Sequence, residues 1–165
     1  MSANSRIQIG AGYEIVRAGV ADVEMVAPLF DAYRQFYKLP SNEDAARRYL
    51  HARLIKEEAV IFLALEERGA RKHARAALGF TLLYPTWSSL SLRRWWNLND
   101  LYVVPEARQR GVARALMQRA RRLAEETGAS GLGLETAKDN FPAQKLYEQL
   151  GWKREEEFFR YELHV

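Results

Sequence analysis

Residues 108–114, Arg-Gln-Arg-Gly-Val-Ala-Arg, lie between a strand-like run, Leu98-Asn-Asp-Leu-Tyr-Val-Val104, and the start of an amphipathic stretch. A glycine turn passing straight from strand to helix presents successive backbone N–H groups, and the helix N-terminus adds positive potential. Such a turn is shaped to cradle a pyrophosphate. Gly111 lets the backbone approach without a Cβ in the way, and small Ala113 does nearly the same. Arg108, Arg110 and Arg114 add charge-assisted donors. The turn lacks the Gly-Lys-Ser/Thr ending of a Walker A loop and the three glycines of the dinucleotide fingerprint.

The rest of the chain supplies a regular order of elements around this turn. Residues 1–12 read as a disordered leader, and Tyr13 to Ala18 alternates as a first strand. Asp22 is expected to cap a helix whose Val23, Val26, Leu29, Phe30 and Tyr33 recur at helical spacing. Pro40 breaks the chain, and Ser41 or Asn42 caps a second helix to about Lys56. Ala59–Glu66 and Ala76–Tyr84 read as a hairpin joined by the charged turn 67–74, and Pro85–Leu92 as a serine-rich loop. A long strand from about Arg94 to Val104 follows. The helix after the turn runs from Val112 to about Thr127, with Val112, Leu116, Ala120 and Leu123 in one stripe and Gly128 as its stop. Arg119, Arg121 and Arg122 read as its solvated face. A short strand over Gly131–Thr136 and a helix capped by Asn140, with Pro142 in its first turn and Gly151 at its end, come next. Residues from Trp152 to His164 read as closing strands.

Composition narrows the function classes. With 165 residues, 48% of them hydrophobic, the chain is read as one domain over 13–165 with room for a core. No apolar run approaches the roughly 20 residues that span a bilayer, and the start lacks the apolar segment of a secretory signal, so a cytoplasmic location and no membrane partner are expected. The absence of cysteine excludes disulfides, thiolate metal sites and a cysteine nucleophile. His51, His73 and His164 are far apart in sequence, so no metal is expected. A net charge of +4 invites nucleic acid, but the cations are interleaved with acids, and their densest cluster coincides with the phosphate-shaped turn. Nucleic acid is therefore not an expected partner.

The spacing Arg/Gln-x-x-Gly-x-Gly/Ala of residues 108–113 resembles the acetyl-CoA loop of the GNAT (Gcn5-related N-acetyltransferase) family. The pattern Asn140, Ala143, Leu146, Tyr147, Gly151, Trp152 resembles a helix that the family carries after its fifth strand. The resemblance implies an α/β fold with a mixed sheet flanked by helices, ordered β-α-α-β-β-β-α-β-α-β-β. In that fold the fourth and fifth strands splay apart to admit the pantetheine of acetyl-CoA. It also implies that Leu101, Tyr102 and Val103 hold the pantetheine through their backbone. The pyrophosphate then falls to Arg108, Gln109, Arg110, Gly111, Val112, Ala113 and Arg114, while Asn140, Ala143 and Tyr147 complete the cofactor site.

Acetyl transfer from a thioester to an amine needs the thioester held, its carbonyl polarised, the amine deprotonated and the thiolate protonated. Tyr147, about two helical turns beyond Asn140, is the expected acid, since a phenol's pKa near 10 lies close to that of a leaving thiol. Asp100 is the first candidate base and an ammonium-binding group; Glu135 is the second. For the substrate side, the resemblance points to Tyr33–Pro40 and to Thr86–Trp96, in which Tyr37, Trp87 and Trp95, with Phe36 and Trp96, could wall an aromatic pocket for an amine. Arg93 and Arg94 are candidates for a substrate carboxylate. The serine-rich loop and the Phe-x-x-Tyr-x-Leu tail are similar to a subgroup of diamine and histone-type acetyltransferases.

The leading expectation is an acetyl-CoA-dependent N-acetyltransferase acting on a small primary amine by direct attack in a ternary complex. The alternatives are a protein acetyltransferase and a non-catalytic acyl-CoA-binding module. Phe158, Phe159 and Tyr161 are expected in a last strand that either finishes the sheet or pairs across a homodimer axis.

Overall fold

The computed structural model describes residues 7–8, 12–66 and 75–165. The charged turn 67–74, His73 and most of the expected leader lie outside the described residues. Within that leader, Ile7–Gln8 form a two-residue strand, β1, paired antiparallel with β2, Tyr13–Ala18. The chain then builds α1 (Val23–Phe36), α2 (Glu43–Ile55), β3 (Val60–Glu66), β4 (Ala77–Ser88), β5 (Arg93–Val103), α3 (Val112–Glu126), β6 (Gly131–Gly133) and α4 (Phe141–Gln149). It divides after Leu134 into two compact units.

The first unit is a six-stranded mixed sheet in the order β1-β2-β3-β4-β5-β6, antiparallel except for the parallel pair β5–β6. One face is covered by α1 and α2, whose Val23, Val26, Leu29, Phe30, Ala46 and Leu50 pack with Ile61, Leu63, Leu65, Phe80 and Leu82. The other face is covered by α3, which lies on β3, β4 and β5. β3 is apolar at six successive positions because both of its faces are covered, so it shows no alternation.

Local chemistry places most boundaries where the residue types dictate. Asn42 caps α2 by accepting from the Ala45 N–H at 3.0 Å. Gly128, at φ 62°, follows the C-terminus of α3 in the left-handed region. Asp22 precedes α1 as expected, but its carboxylate accepts from Gly19 N at 2.8 Å and so closes the short 3-10 turn Val20–Asp22 instead of capping the helix.

Four expectations are corrected. β4 runs through Pro85 to Ser88, so the loop shrinks to residues 89–92. Proline is accommodated because β3 pairs only as far as Leu83; beyond it that side of β4 is an edge needing no N–H. Arg119 is not on the solvated face but is 5% exposed, its guanidinium 4.3 Å from the Phe62 ring centre and 3.2 Å from Glu126. It lies seven residues after Val112 and four before Leu123, on the buried stripe. The strand expected over Gly131–Thr136 ends at Gly133. Residues 152–165 form no strand: they make no ladder, and Phe158, Phe159, Tyr161 and Leu163 are exposed, so neither hydrogen bonds nor burial fixes an extended conformation there.

The second unit, described by itself, is α4 with its flanks. Asn140 caps the helix at Ala143 N, 3.4 Å, and Pro142 sits in its first turn. The Gln144 carboxamide nitrogen donates to the carbonyls of Ala137 and Lys138 at 3.1 and 3.0 Å. Gly151, at φ 84°, ends the helix, and Trp152 N returns to Tyr147 O at 3.0 Å.

Candidate acceptor and acyl-donor site

A single irregularity in β5 decides where its side chains go. Leu82 is opposite Asp100 while Leu83 is opposite Leu98, so Asn99 is an extra residue on β5. A β-bulge of this kind reverses the alternation of everything beyond it. Without it Asp100 would share the α3 face with Leu98 and Trp96. With it Asp100 and Tyr102 pair with Leu82 and Phe80, on the face covered by α1. The hydroxyl of fully buried Thr81 donates to the Asp100 carbonyl at 2.9 Å, satisfying a backbone group beside the disrupted ladder.

Asp100 is 5% exposed. The Asn99 carboxamide donates to Asp100 Oδ1 at 3.1 Å, and Tyr33 of α1 lies on the same face of the sheet. Burial pushes the Asp100 pKa above the usual carboxylate range, and the polar neighbours only partly offset the shift. Burial first, and then the proximity of Asp100, raises the Tyr33 phenol well above its usual value, so Tyr33 stays protonated. Around them lie rings: Tyr33 stands edge-on to Phe80 and Tyr37, at 6.3 and 5.1 Å between centres, and Phe36 is edge-on to Tyr37. Tyr49 of α2 stacks on Phe30 at 5.7 Å and shares a hydrogen bond with the Tyr84 hydroxyl of β4.

Along its second side β5 pairs with β6 only at Trp95–Asn97. From Leu98 to Val103, the expected pantetheine strand including Leu101, Tyr102 and Val103, its only ladder among the described residues is with β4. This is the opening between the fourth and fifth strands of the expected order, here β5 and β6. Gly131 and Gly133 face the Trp95 indole so closely that a Cβ on Gly131 would stand 2.6 Å from the ring.

The end of β5 leads into the glycine turn. Gln109 and Gly111 are both left-handed, at φ 60° and 81°, and the first α-helical bond of α3 runs from Ala115 N to Gly111 O at 3.0 Å. The helix start has no side-chain cap and no acid in its first turn, so the N–H groups of that turn keep their positive potential. A Cβ at Gly111 would approach the Tyr13 hydroxyl to 3.5 Å, so β2 supports the turn from beneath. The arginines are partly committed: Arg108 Nε donates to Val103 O at 3.1 Å, tying the turn to β5, and Arg110 pairs with Glu66 at 3.7 Å. Uncapped N–H groups, a glycine at positive φ and an open strand edge fit a pyrophosphate followed by an amide-bearing arm.

The other expected residues fall as follows. Tyr37 lies on the Asp100 face, exposed at the end of α1. Trp95 is on that face by register, half-buried against β6. Trp87 is opposite Arg94, on the α3 face with Trp96, so it is not brought together with Asp100. Arg94 lies 5.2 and 5.3 Å from the rings of Trp87 and Trp96, which occupy the guanidinium proposed for a carboxylate. Trp96 is core, its indole N–H donating to Thr127 at 2.9 Å. In the second unit Tyr147 and Trp152 rings lie 6.4 Å apart, and Glu135 is exposed and ion-paired with Arg160. Among the described residues no three His, Cys, Asp or Glu side chains are grouped to hold a metal, and no helix is long and apolar enough to cross a membrane. Sequence reasoning missed the bulge at Asn99; the consecutive polar pair Asn99-Asp100 inside an alternating strand was the available signal for it.

Known proteins place this arrangement. The model of the Acetyltransferase (GNAT) family matches residues 26–152. The chain is 42% identical over 151 residues to an uncharacterized N-acetyltransferase of Bacillus subtilis (strain 168), YhfO, covering 92% of this chain and 97% of that protein. It is 30% identical over 140 residues to a probable acetyltransferase of Haemophilus influenzae, covering 85% and 90%. A crystal structure of a probable acetyltransferase superposes with a TM-score of 0.83 at 44% identity, covering 92% of this chain and 97% of that one. An aminoglycoside N-acetyltransferase solved in complex with CoA shares the fold, at a TM-score of 0.74 and 20% identity over 96% of this chain and 99% of that one. Matched over most of its length by the family and by its relatives, the chain is an acetyltransferase of the GNAT family.

Proposed function

We propose that the protein transfers the acetyl group of acetyl-CoA to a primary amine of a small molecule by direct attack in a ternary complex. The observation that carries this reading is Asp100: a buried carboxyl, turned by a bulge onto an aromatic face, on a strand whose other side is open. A carboxylate among tyrosines suits an ammonium group, and a poised carboxyl can take its proton. Bound acetyl-CoA supplies the acetyl group as an activated thioester. Residues 108–114 hold its pyrophosphate on the start of α3, and the backbone of Leu101–Val103 aligns its pantetheine as an added strand would. By the family resemblance Asn140, Ala143 and Tyr147 are assigned to acetyl-CoA, with Tyr147 as the acid for the departing sulfur. That the family match runs across residue 134 supports reading 13–165 as one catalytic domain. Asp100 is the preferred base over Glu135, which is solvated and neutralised by Arg160. A small-molecule acceptor is favoured over a protein because the rings crowd Asp100. A cytoplasmic location, and a homodimer formed through the exposed Phe158–Leu163 segment, belong to the same reading.

Initial rates over a matrix of acetyl-CoA and amine concentrations test the mechanism: intersecting reciprocal lines are expected, and parallel lines would mean an acyl-enzyme. Tyr147→Phe lowers kcat by about 10²-fold, the usual worth of a positioned acid, with acetyl-CoA affinity unchanged by calorimetry. Two glycines at opposite ends of α3 separate strain from binding. Gly111→Val and Gly128→Ala each put a side chain at positive φ, at 81° and 62°, and each costs about 1 kcal/mol of stability. Only Gly111→Val also weakens acetyl-CoA binding, by about tenfold or more.

A further inference from the structure

We propose that Trp95 sets the length of the acyl group the enzyme takes. Its indole fills a strip of β6 left bare by two glycines, in line with the opening that admits the acyl donor, and leaves room for acetyl but not for a longer chain. The inference rests on the reading that the pantetheine arm lies along the free edge of β5, and it adds a selectivity that neither the glycine turn nor Asp100 supplies.

The ladder fixes the place. β5 and β6 run parallel and pair at Trp95–Gly131, Trp96–Leu132 and Asn97–Gly133. Beyond Asn97, among the described residues, β5 is free on that side as far as Val103. An arm whose pyrophosphate end sits at residues 108–114 enters this opening at Val103 and runs back toward Asn97. Its acyl end therefore arrives where the strands part, and Trp95 and Gly131 lie two residues further on in the same direction. Trp95 and Asn97 share a face with Gly131 and Gly133, and it is the face that Asp100 reaches through the bulge.

The glycines make space for the ring. Neither Gly131 nor Gly133 has a positive φ, so the backbone of β6 does not itself call for glycine. A Cβ at Gly131 would stand 2.6 Å from Cζ3 and 2.9 Å from Cη2 of Trp95, and one at Gly133 would stand 3.0 Å from its Nε1. The six-membered ring thus lies against Gly131 and the pyrrole nitrogen against Gly133, so the indole runs along β6 to the point where the strands part. Glycine weakens a strand interior and marks a close approach there. The start of β6 is tied down independently of the ring: Ser130 N and Oγ donate to the Arg94 carbonyl at 2.8 and 3.2 Å, and Ser91 Oγ donates to Ser130 Oγ at 2.9 Å. Removing the indole therefore leaves a bare strip on a strand that is still anchored.

The consequence is a stop. An acetyl group ends where the strands part, and each further methylene has to enter the volume the indole fills. With the indole gone, those methylenes are buried on glycine backbone instead, each worth about fourfold in affinity.

The test is calorimetric titration of acetyl-, butyryl- and hexanoyl-CoA into wild type, Trp95→Ala and Trp95→Phe, each checked for native circular dichroism. The ratio of affinities is the readout, and it needs no amine. Wild type is expected to bind acetyl-CoA at least about tenfold more tightly than butyryl-CoA. Trp95→Ala reverses that order, and Trp95→Phe, the milder change, shifts the ratio in the same direction. Refilling the strip with Gly131→Leu in the Trp95→Ala background restores the preference for acetyl-CoA. Two results overturn the inference while acetyl-CoA binding stands: the wild-type chain-length preference persisting in Trp95→Ala, or wild type binding butyryl-CoA as tightly as acetyl-CoA. A wild type that binds no acyl-CoA overturns the cofactor reading itself, and this inference with it.

Discussion

Asp100→Asn is expected to lose about 10²–10³-fold in kcat/KM and yet to melt above wild type at pH 7–8. The loss follows from removing the proton acceptor. The gain follows from the raised pKa of a carboxyl that is 5% exposed. A carboxyl whose folded pKa lies above its unfolded value contributes stability only below the unfolded pKa, and that contribution is lost as pH rises through the folded pKa. At pH 7–8 wild type therefore carries a buried charge at a net cost, which a neutral isostere avoids. The asparagine oxygen can still accept from Asn99. We expect a gain of about 1–2 kcal/mol, roughly 2–6 °C in Tm, shrinking to nothing near pH 3–4. Scanning calorimetry across that range checks it; a variant that melts below wild type at pH 8 contradicts the account of Asp100.

Asp31→Ala has the opposite signature and the larger stability effect. Asp31 is 4% exposed and is the knot between α1 and the start of α2. It accepts from Ser41 Oγ at 2.6 Å, Asn42 N at 2.8 Å, Gln35 Nε2 at 2.9 Å and Arg34 at 3.4 Å. Burial alone would raise its pKa, but the Ser41, Asn42 and Gln35 hydrogen bonds and the Arg34 charge together hold it below the usual carboxylate range. Asn42 is also the cap of α2, so losing Asp31 loosens the element that carries Tyr49 to Tyr84. We expect a cost of about 2–4 kcal/mol, roughly 4–12 °C. A depressed folded pKa contributes stability above the unfolded pKa and loses it as pH falls through the folded value, so the gap between wild type and Asp31→Asn narrows in acid. Two buried aspartates on neighbouring elements thus show opposite pH dependences, one with its pKa lowered by hydrogen bonds and one with its pKa raised by burial.

Much of this was legible in the residues. Asn42 and Asn140 are short polar side chains ahead of helical runs, and both cap. Gly111 stands where strand turns into helix, and its φ of 81° is open to few other residues. What escaped was whatever depends on register or on burial of a charge. The sequence Trp96-Asn-Leu98-Asn-Asp100 breaks its alternation only at the polar pair Asn99-Asp100, and in a strand with polar residues on one face such a pair does not by itself say which of the two is the extra residue. The face of Asp100 follows from that one slip. Arg119 read as surface because it is charged, although its spacing put it on the buried stripe above Phe62. The last strands read as strands because Phe159, Tyr161 and Leu163 alternate with polar residues; alternation gives a strand its faces but not a partner to pair with.

The most direct test of the central claim is thiol release from acetyl-CoA by the wild-type protein against pools of polyamines, aminoglycosides, amino acids and lysine peptides, with products identified by mass. Release with one small-amine pool, giving an acetylated amine and little product in Tyr147→Phe, is the predicted result. Release only with lysine peptides, or acetyl-CoA binding with no turnover in any pool, would contradict it.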